Sequence, residues 1–205
     1  MTVATEEHDI VLRLDLRSKT FGATHILKDV SFALSRGETL VLRGPSGVGK
    51  STILRLISGL DTEFDGNIQL QDKLSIAFQE PTLLPWCNVV ENLTIIEGVD
   101  EKMTLEALAS VGLREKVNAF PNDLSLGQQR RLALARAFVI KPDVLLMDEP
   151  FVSLDDRLSD DVIGVYEKLR SETGVSTLLV THNEREAARL GDRILTLAGQ
   201  PATLV

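Results

Sequence analysis

The stretch that decides the fold is Gly44-Pro45-Ser46-Gly47-Val48-Gly49-Lys50-Ser51. It matches the pattern G-x-x-x-x-G-K-[ST] in full. The preceding residues 38–43 (ETLVLR) read as a strand, and residues 50–58 place their apolar side chains on one side of a helix. A strand, a glycine-rich loop and a helix in this order are the context in which the pattern forms a phosphate-binding loop.

The residue types in this loop are suited to binding a nucleoside triphosphate. Glycines let the backbone wrap so that its N–H groups point at phosphate oxygens, and the start of the helix adds the positive end of its dipole. Lys50 supplies a charge to the β- and γ-phosphates, and the Ser51 hydroxyl is placed to bind Mg²⁺. We therefore predict that the residues of the pattern, together with Thr52, contact the nucleotide.

Two carboxylates follow a second buried strand. The apolar run 144–147 (VLLM) ends at Asp148 and Glu149. Asp148 at the carboxyl end of the strand can hold Mg²⁺ through water, and Glu149 is a candidate general base for an attacking water. The two motifs together indicate an Mg-nucleotide phosphohydrolase or kinase.

The remaining pattern predicts an α/β fold. Apolar strands at 144–147 and 177–180 alternate with helices near 157–171 and 184–190, which indicates a parallel sheet covered on both faces. Residues 66–70 and 74–79 read as a short hairpin around Gln71-Asp72-Lys73.

A helical segment interrupts this plan. Residues 88–140 carry helical periodicity without a convincing strand. We expect one domain over residues 1–205, with a core of about residues 1–79 and 136–205 and a helical subdomain of about residues 80–135.

Composition excludes several classes of protein. The 205 residues carry 22 Lys and Arg against 30 Asp and Glu, a net charge of −8, which disfavours direct nucleic-acid binding. A single cysteine, Cys87, excludes an internal disulfide framework. The acidic start and the lack of a long apolar run lead us to expect a chain in the cytosol or held on a membrane by a partner.

A further segment narrows the prediction to one family of nucleotide-binding proteins. Residues 123–131 (DLSLGQQRR) closely resemble the L-S-G-G-Q signature of ABC-transporter ATPases. The family's other motifs occur in the same order: an aromatic residue before the loop, a glutamine between the nucleotide motifs, an acidic turn and a histidine. Here these are Phe21, Gln79, Ser153-Leu154-Asp155 and His182.

The resemblance implies a P-loop NTPase (RecA-like) core with a mostly parallel sheet, N-terminal antiparallel strands and an inserted α-helical subdomain. It implies ATP and Mg²⁺ as ligands. Phe21 would stack on the adenine, and Gln79 would reach Mg²⁺ or the attacking water. His182 would form a hydrogen bond with the γ-phosphate and hold Glu149 in place. The predicted catalytic residues are therefore Lys50, Gln79, Glu149 and His182.

The resemblance also implies a second ATPase subunit, most simply a second copy of this chain. The signature residues Ser125, Gly127 and Gln128, with Asp155, would face the nucleotide of that subunit. Leu126 stands where the signature usually has its first glycine. A leucine is tolerated there if its φ is negative and its side chain points away from the phosphate. A required positive φ would weaken the shared site and favour a weakly active regulatory cassette.

One loop indicates the branch of the family. Residues 78–86 (FQEPTLLPW) look like the glutamine loop of importer cassettes for nitrate, sulfonate or taurine. Leu83, Leu84 and Trp86 would receive a permease helix, or Trp86 would belong to the subdomain core. The Arg130-Arg131 pair could contact phosphate or a partner, but charged residues on a helix are usually solvated, and we expect these two on the helix surface.

The resemblance predicts the ATP-hydrolysing subunit of a small-solute importer at the cytoplasmic face of the membrane. Its expected partners are permease subunits and a solute-binding protein, with no direct nucleic acid. The alternatives are an ABC exporter or membrane-linked mechanical ATPase, and an ABC ATPase acting on DNA or ribosomes without a membrane. The −8 charge and the single cassette argue against the last of these.

Overall fold

The structure is a computed structural model that describes residues 9–70 and 73–205. Its elements follow the chain in this order: β1(Ile10–Phe21), β2(Thr24–Ser35), β3(Thr39–Arg43), α1(Lys50–Ile57), β4(Asp65–Leu70), β5(Leu74–Ala77), α2(Glu91–Thr94), α3(Glu101–Ser110), α4(Leu126–Phe138), β6(Val144–Asp148), α5(Asp156–Thr173), β7(Ser176–Val180), α6(Glu184–Leu190), β8(Arg193–Gly199) and β9(Ala202–Leu204).

The described residues form two compact units. The first contains residues 9–70, 73–74, 143–148 and 175–205, and the second contains residues 75–142 and 149–174. The predicted boundaries, with a helical subdomain over about residues 80–135, stay a prediction.

The first unit is built around a parallel ladder. β3 lies between β7 and β8, and β7 lies between β3 and β6, all in parallel. Every residue of β7 is buried, as are the first four residues of β3 and of β6. Strands covered on both faces are expected to be apolar throughout, which is why VLLM and TLLV show no polar alternation.

The N-terminal strands are antiparallel. β1 pairs with β2 along most of its length and with β4 on its other side. Leu12, Leu14 and Leu16 of β1 are buried at every second position, as the two-residue period of a strand requires. The predicted α/β class, with a mostly parallel sheet and antiparallel N-terminal strands, is confirmed.

The predicted hairpin of residues 66–70 and 74–79 is wrong. β4 forms its ladder with β1, with Leu14 opposite Ile68 and Leu12 opposite Leu70, and it does not pair with β5. The proposed turn residues Gln71 and Asp72 lie outside the described residues. Two strands close in sequence fit a hairpin locally, but the partner of β4 is a long strand from the start of the chain, which no local signal identifies.

The second unit is mainly helical, with the short strand β5 at its start. Two of its aromatic side chains, Phe138 and Phe151, pack against buried Tyr166 of α5, and each ring centroid lies 6.4 Å from that of Tyr166. Edge and tilted contacts at this distance are the favourable geometry for aromatic pairs. Across residues 9–70 and 73–205, none of the helices has the length and apolar character needed to cross a membrane.

A buried ion pair joins β1 to the segment that follows α1. Lys19 Nζ donates to Asp61 Oδ1 at 2.7 Å, and the Lys19 side chain is fully buried. The hydrogen bond from Lys19 lowers the pKa of Asp61 below its usual value. The folded state therefore holds the ionised carboxylate more favourably than the unfolded chain does.

The pair predicts a pH-dependent stability. Because the folded pKa of Asp61 is depressed, its contribution is fully present above the unfolded pKa, near pH 4, and is lost as the pH falls through the folded pKa. Asp61→Asn should therefore lower the free energy of unfolding at neutral pH and flatten its decline below about pH 4. Urea unfolding from pH 3 to 7 measures this, and an acid limb identical to that of the unmodified chain would contradict it.

Candidate nucleotide site

The strand register places the predicted residues of the first unit at one level. Leu42 of β3 is paired with Val180 of β7, and Val180 is also paired with Asp148 of β6. The loop that begins at Gly44 follows β3, and His182 follows β7. Because the three strands are parallel, their carboxyl ends open at the same edge, where ligands of open α/β sheets bind.

The glycines of the loop are required by close packing and backbone conformation. A Cβ on Gly44 would lie 2.4 Å from the Leu197 backbone oxygen, and one on Gly49 would lie 2.7 Å from Leu27 Cδ2. Gly49 has φ 116 and Gly47 has φ 78, both in the region that favours glycine. Gly47 has open space around it, so its requirement is conformational alone.

Lys50 and Ser51 open helix α1 at the end of this loop. The buried Lys50 Nζ donates to the carbonyl oxygens of Gly44 at 2.9 Å and Pro45 at 3.0 Å, so the ammonium group lies within the loop. Ser51 Oγ donates to Asp148 Oδ1 at 3.0 Å. The first unit thus brings together the loop lysine, the hydroxyl and the carboxylate that the two motifs predict.

The oxygen atoms of Ser51 and Asp148 fit a magnesium ion. A hydroxyl and a carboxylate are the hard oxygen ligands that Mg²⁺ takes, and the structure places them side by side at the sheet edge. The start of α1 has no side-chain cap, because its N-cap residue is Gly49. N–H groups at the start of a helix point along its axis, away from the body of the helix, as a phosphate site requires.

His182 is exposed between two anchored neighbours. Buried Thr181 donates its hydroxyl to Glu186 Oε2 at 2.6 Å and accepts from Asn183 N at 3.0 Å. Asn183 Oδ1 accepts from the N–H groups of Arg185 and Glu186 and so caps α6. These contacts fix the backbone on both sides of His182; the anchoring glutamate was not predicted from the sequence.

Phe21 ends β1 and is 51% exposed. One of its ring faces is covered, because Lys19 Nζ lies 4.6 Å from the ring centroid. A half-exposed ring of this kind suits stacking on a planar base.

Gln79 and Glu149 belong to the second unit, so their predicted roles at the nucleotide stay predictions. Gln79 is exposed and lies two residues after β5. Glu149 directly follows Asp148 and has φ 44, a conformation rare for a residue with a side chain. The carboxyl end of β6 therefore turns sharply between the two carboxylates.

The signature segment forms the start of α4. Ser125 is the N-cap: its Oγ accepts from Gln128 N at 3.3 Å, and Gln128 Oε1 accepts from Ser125 N at 3.0 Å. Gly127 lies against α5, since a Cβ there would be 2.3 Å from Leu158 Cδ1. Leu126 is the first residue of the helix, so its φ is negative and no glycine is required there. Its side chain is 42% exposed.

Asp155 has a local structural role. Its Oδ1 accepts from Leu158 N at 2.9 Å and caps α5. An N-cap carboxylate stabilises a helix by about 1 kcal/mol. The predicted part of Asp155 in binding a second subunit's nucleotide stays a prediction.

The predicted solvated surface position of Arg130 is wrong. Arg130 is 7% exposed, and its Nη2 donates to the Val152 oxygen at 3.3 Å. Burial lowers the pKa of Arg130, while the charge of Glu80 opposes that shift. The helical period contained the signal, because Gly127, Arg130 and Leu134 form one buried stripe of α4.

The loop of residues 78–86 is held by two residues that sequence reasoning missed. Arg136 donates to the Thr82 backbone oxygen and to its Oγ1, both at 2.8 Å. Fully buried Asn92 accepts from Leu84 N at 2.8 Å and donates to the oxygens of Leu84 and Cys87. Trp86 is 73% exposed, so the alternative that it is a core residue of the subdomain is excluded within this chain.

The two loop glycines predict different stability losses. Gly44→Ala forces a Cβ into the Leu197 carbonyl and should lower the free energy of unfolding by about 3 kcal/mol. Gly47→Ala meets open space and should cost only the strain of its positive φ, about 1 kcal/mol. Urea unfolding of the two variants measures both losses, and equal losses would show that the Gly44 contact is relieved by a small shift of β8.

Comparison with known proteins identifies relatives of this chain. A family model described as ABC transporter matches residues 27–152. An aliphatic sulfonates import ATP-binding protein, SsuB 1 of Xanthomonas axonopodis pv. citri, is 37% identical over 94% of this chain and 83% of its own length. SsuB of Granulibacter bethesdensis is 40% identical, over 91% of this chain and 79% of its own.

Two solved structures share the architecture. An inward-facing metal-chelate type ABC transporter matches with TM-score 0.82 and 22% identity over 94% of this chain and 84% of that chain, which shows the fold. A dimeric ATP-binding cassette in a post-hydrolysis state with ADP and Pi matches with TM-score 0.79 and 29% identity. The match covers 94% of this chain and 96% of that chain. The chain therefore belongs to the ABC transporter family, and within that family it is an ATP-binding subunit.

Proposed function

We propose that this chain is the ATP-hydrolysing subunit of a small-solute importer and that aliphatic sulfonates are the substrate class. The observation that carries the ATPase part is the contact between Ser51 Oγ and Asp148 Oδ1 beside the loop-bound Lys50 ammonium. The importer part rests on relatives named as aliphatic sulfonates import proteins and on the loop of residues 78–86. These relatives support the importer over an exporter or an ATPase without a permease.

The first unit supplies the binding of the triphosphate. Backbone N–H groups of the loop and of the start of α1 donate to phosphate oxygens, and Lys50 contributes its positive charge. Ser51 and Asp148 would hold Mg²⁺. Gln79 is the further ligand that the family resemblance implies. A magnesium ion bound there would offset the negative charge that develops on the phosphate oxygens.

The hydrolytic step needs a base, and Glu149 is the proposed one. Its carboxylate takes a proton from water as the water oxygen bonds to the γ-phosphorus, and the bond to the bridging oxygen breaks to release ADP and phosphate. His182 donates to the γ-phosphate and keeps Glu149 in position. The anchored backbone on both sides of His182 supports this role, because a positioning group has to be fixed itself.

A second copy of the chain would complete the site. Ser125, Gly127 and Gln128 would present the start of α4 to the nucleotide of the other copy, with Asp155 along the seam. The helical conformation of Leu126 supports an intact signature. We propose that a core of about residues 1–79 and 136–205 binds the nucleotide and that a helical subdomain of about residues 80–135 moves on dimer closure.

The loop of residues 78–86 would transmit this motion to the membrane. Arg136 and Asn92 fix the loop backbone, and Trp86 points its apolar ring into solvent. A fixed loop with an exposed aromatic residue is suited to binding the cytoplasmic helix of a permease. The complex would lie at the cytoplasmic face of the membrane and include a solute-binding protein.

The proposed base predicts that binding and turnover can be separated. Glu149→Gln removes proton acceptance while keeping the shape of the side chain, so ATP should bind normally and hydrolysis should fall at least about a hundredfold. ATP should also shift this variant toward a dimer. Phosphate release and light scattering with ATP and Mg²⁺ measure the two effects.

Lys50→Ala is the matched control, because it should lose nucleotide binding itself. Its dimerisation should therefore not respond to ATP. Turnover by Glu149→Gln at the rate of the unmodified chain would show that another group accepts the proton.

The importer assignment predicts a growth phenotype. Cells that lack this gene should fail to grow with an aliphatic sulfonate as the only sulfur source and should grow on sulfate. A copy encoding the unmodified chain should restore growth, and a Glu149→Gln copy should not. Unchanged growth of the deletion strain in sulfonate medium, with uptake of labelled sulfonate intact, would contradict the substrate class.

A further inference from the structure

A buried lysine lies directly beneath the aromatic residue at the end of β1. Lys19 Nζ donates to Asp61 Oδ1 at 2.7 Å and to the Glu63 carbonyl oxygen at 2.6 Å. It also lies 4.6 Å from the centroid of the Phe21 ring, within the range of a cation–π contact. The Lys19 side chain is fully buried, although lysines almost always keep their charge in water.

The position of Asp61 connects this cation to the phosphate loop. Helix α1 begins at Lys50 and Ser51, and Asp61 lies four residues beyond its last residue, Ile57. Asp61 N donates to the Arg55 oxygen at 3.1 Å, and Glu63 N donates to Asp61 Oδ1 at 3.1 Å. The carboxylate is therefore fixed to the end of the same helix that carries the phosphate-binding groups at its start.

The Lys19 charge serves more than the packing of β1. A buried cation is costly unless it is paired, and an apolar residue of the same length would fill the space without that cost. The ammonium group covers one face of Phe21, while the residue stays 51% exposed. A cation on one face of a ring attracts its π electrons, which makes the other face a better partner for an electron-rich purine.

We propose that Lys19 is a positioning residue for the nucleotide base. It fixes the Phe21 ring through its ammonium group and ties that ring, through Asp61, to the end of α1. The base then stacks on the ring face opposite Lys19. This proposal rests on the proposed ATP site and assigns to it a residue outside the nucleotide motifs.

The test compares a ligand that has a base with one that has none. Lys19→Met should weaken ADP binding by about two- to fivefold, the size of a cation–π contact, and should leave the affinity for inorganic tripolyphosphate unchanged. Phe21→Ala should weaken ADP binding by about tenfold, as expected for loss of base stacking, again without effect on tripolyphosphate. In the Phe21→Ala background, Lys19→Met should produce no further loss of ADP affinity. Isothermal titration calorimetry on the full chain measures all of these constants.

Controls separate positioning from folding. Lys19→Arg keeps the cation and its carboxylate partner and should restore most of the ADP affinity. If Lys19→Met does not fold, the Lys19→Met/Asp61→Asn variant removes both charges together and is tested in its place.

Equal losses for ADP and tripolyphosphate would overturn the proposal, as would the same loss with and without Phe21. Failure of the unmodified chain to bind ADP would instead contradict the proposed nucleotide site.

Discussion

The site depends on one constraint, the register of a fully buried parallel ladder. Because Leu42, Val180 and Asp148 are paired at one level, the chain must leave the three strands at the same edge of the sheet. That alignment brings the phosphate loop, the acidic end of β6 and the histidine after β7 to the same edge. A shift of one residue in any of these strands would turn its apolar side chains over and move its functional end by about 3.3 Å.

Two residues with an observed role in folding also have a proposed role at the nucleotide. Ser125 and Asp155 each cap a helix, and the family likeness also implies a place for them at a shared nucleotide site. Their removal is expected to loosen a helix start as well as any ligand contact. Activity lost on such a substitution therefore does not by itself identify a ligand contact, and a measurement of stability has to accompany it.

The sequence predicted the local structure around the candidate site, because a few adjacent residues determine each part of it. The glycine loop, the acidic end of VLLM and the start of α4 are all of this kind. The pairing of β4 was predicted wrongly because its partner strand is far away in the chain. The burial of Arg130 was misjudged although the helical period of α4 contained its signal. The contact of Lys19 with Asp61 spans 42 positions and has no pattern of its own in the sequence.

The conformation of Glu149 has a consequence for engineering this protein. A φ of 44 costs a residue with a side chain about 1 kcal/mol, and glycine or asparagine would relieve much of that cost. Selection for a higher melting temperature would thus favour the loss of the carboxylate that we propose as the proton acceptor. Heat-tolerant variants of this cassette should therefore be sorted by phosphate release as well as by resistance to unfolding, so that variants that have lost Glu149 are recognised.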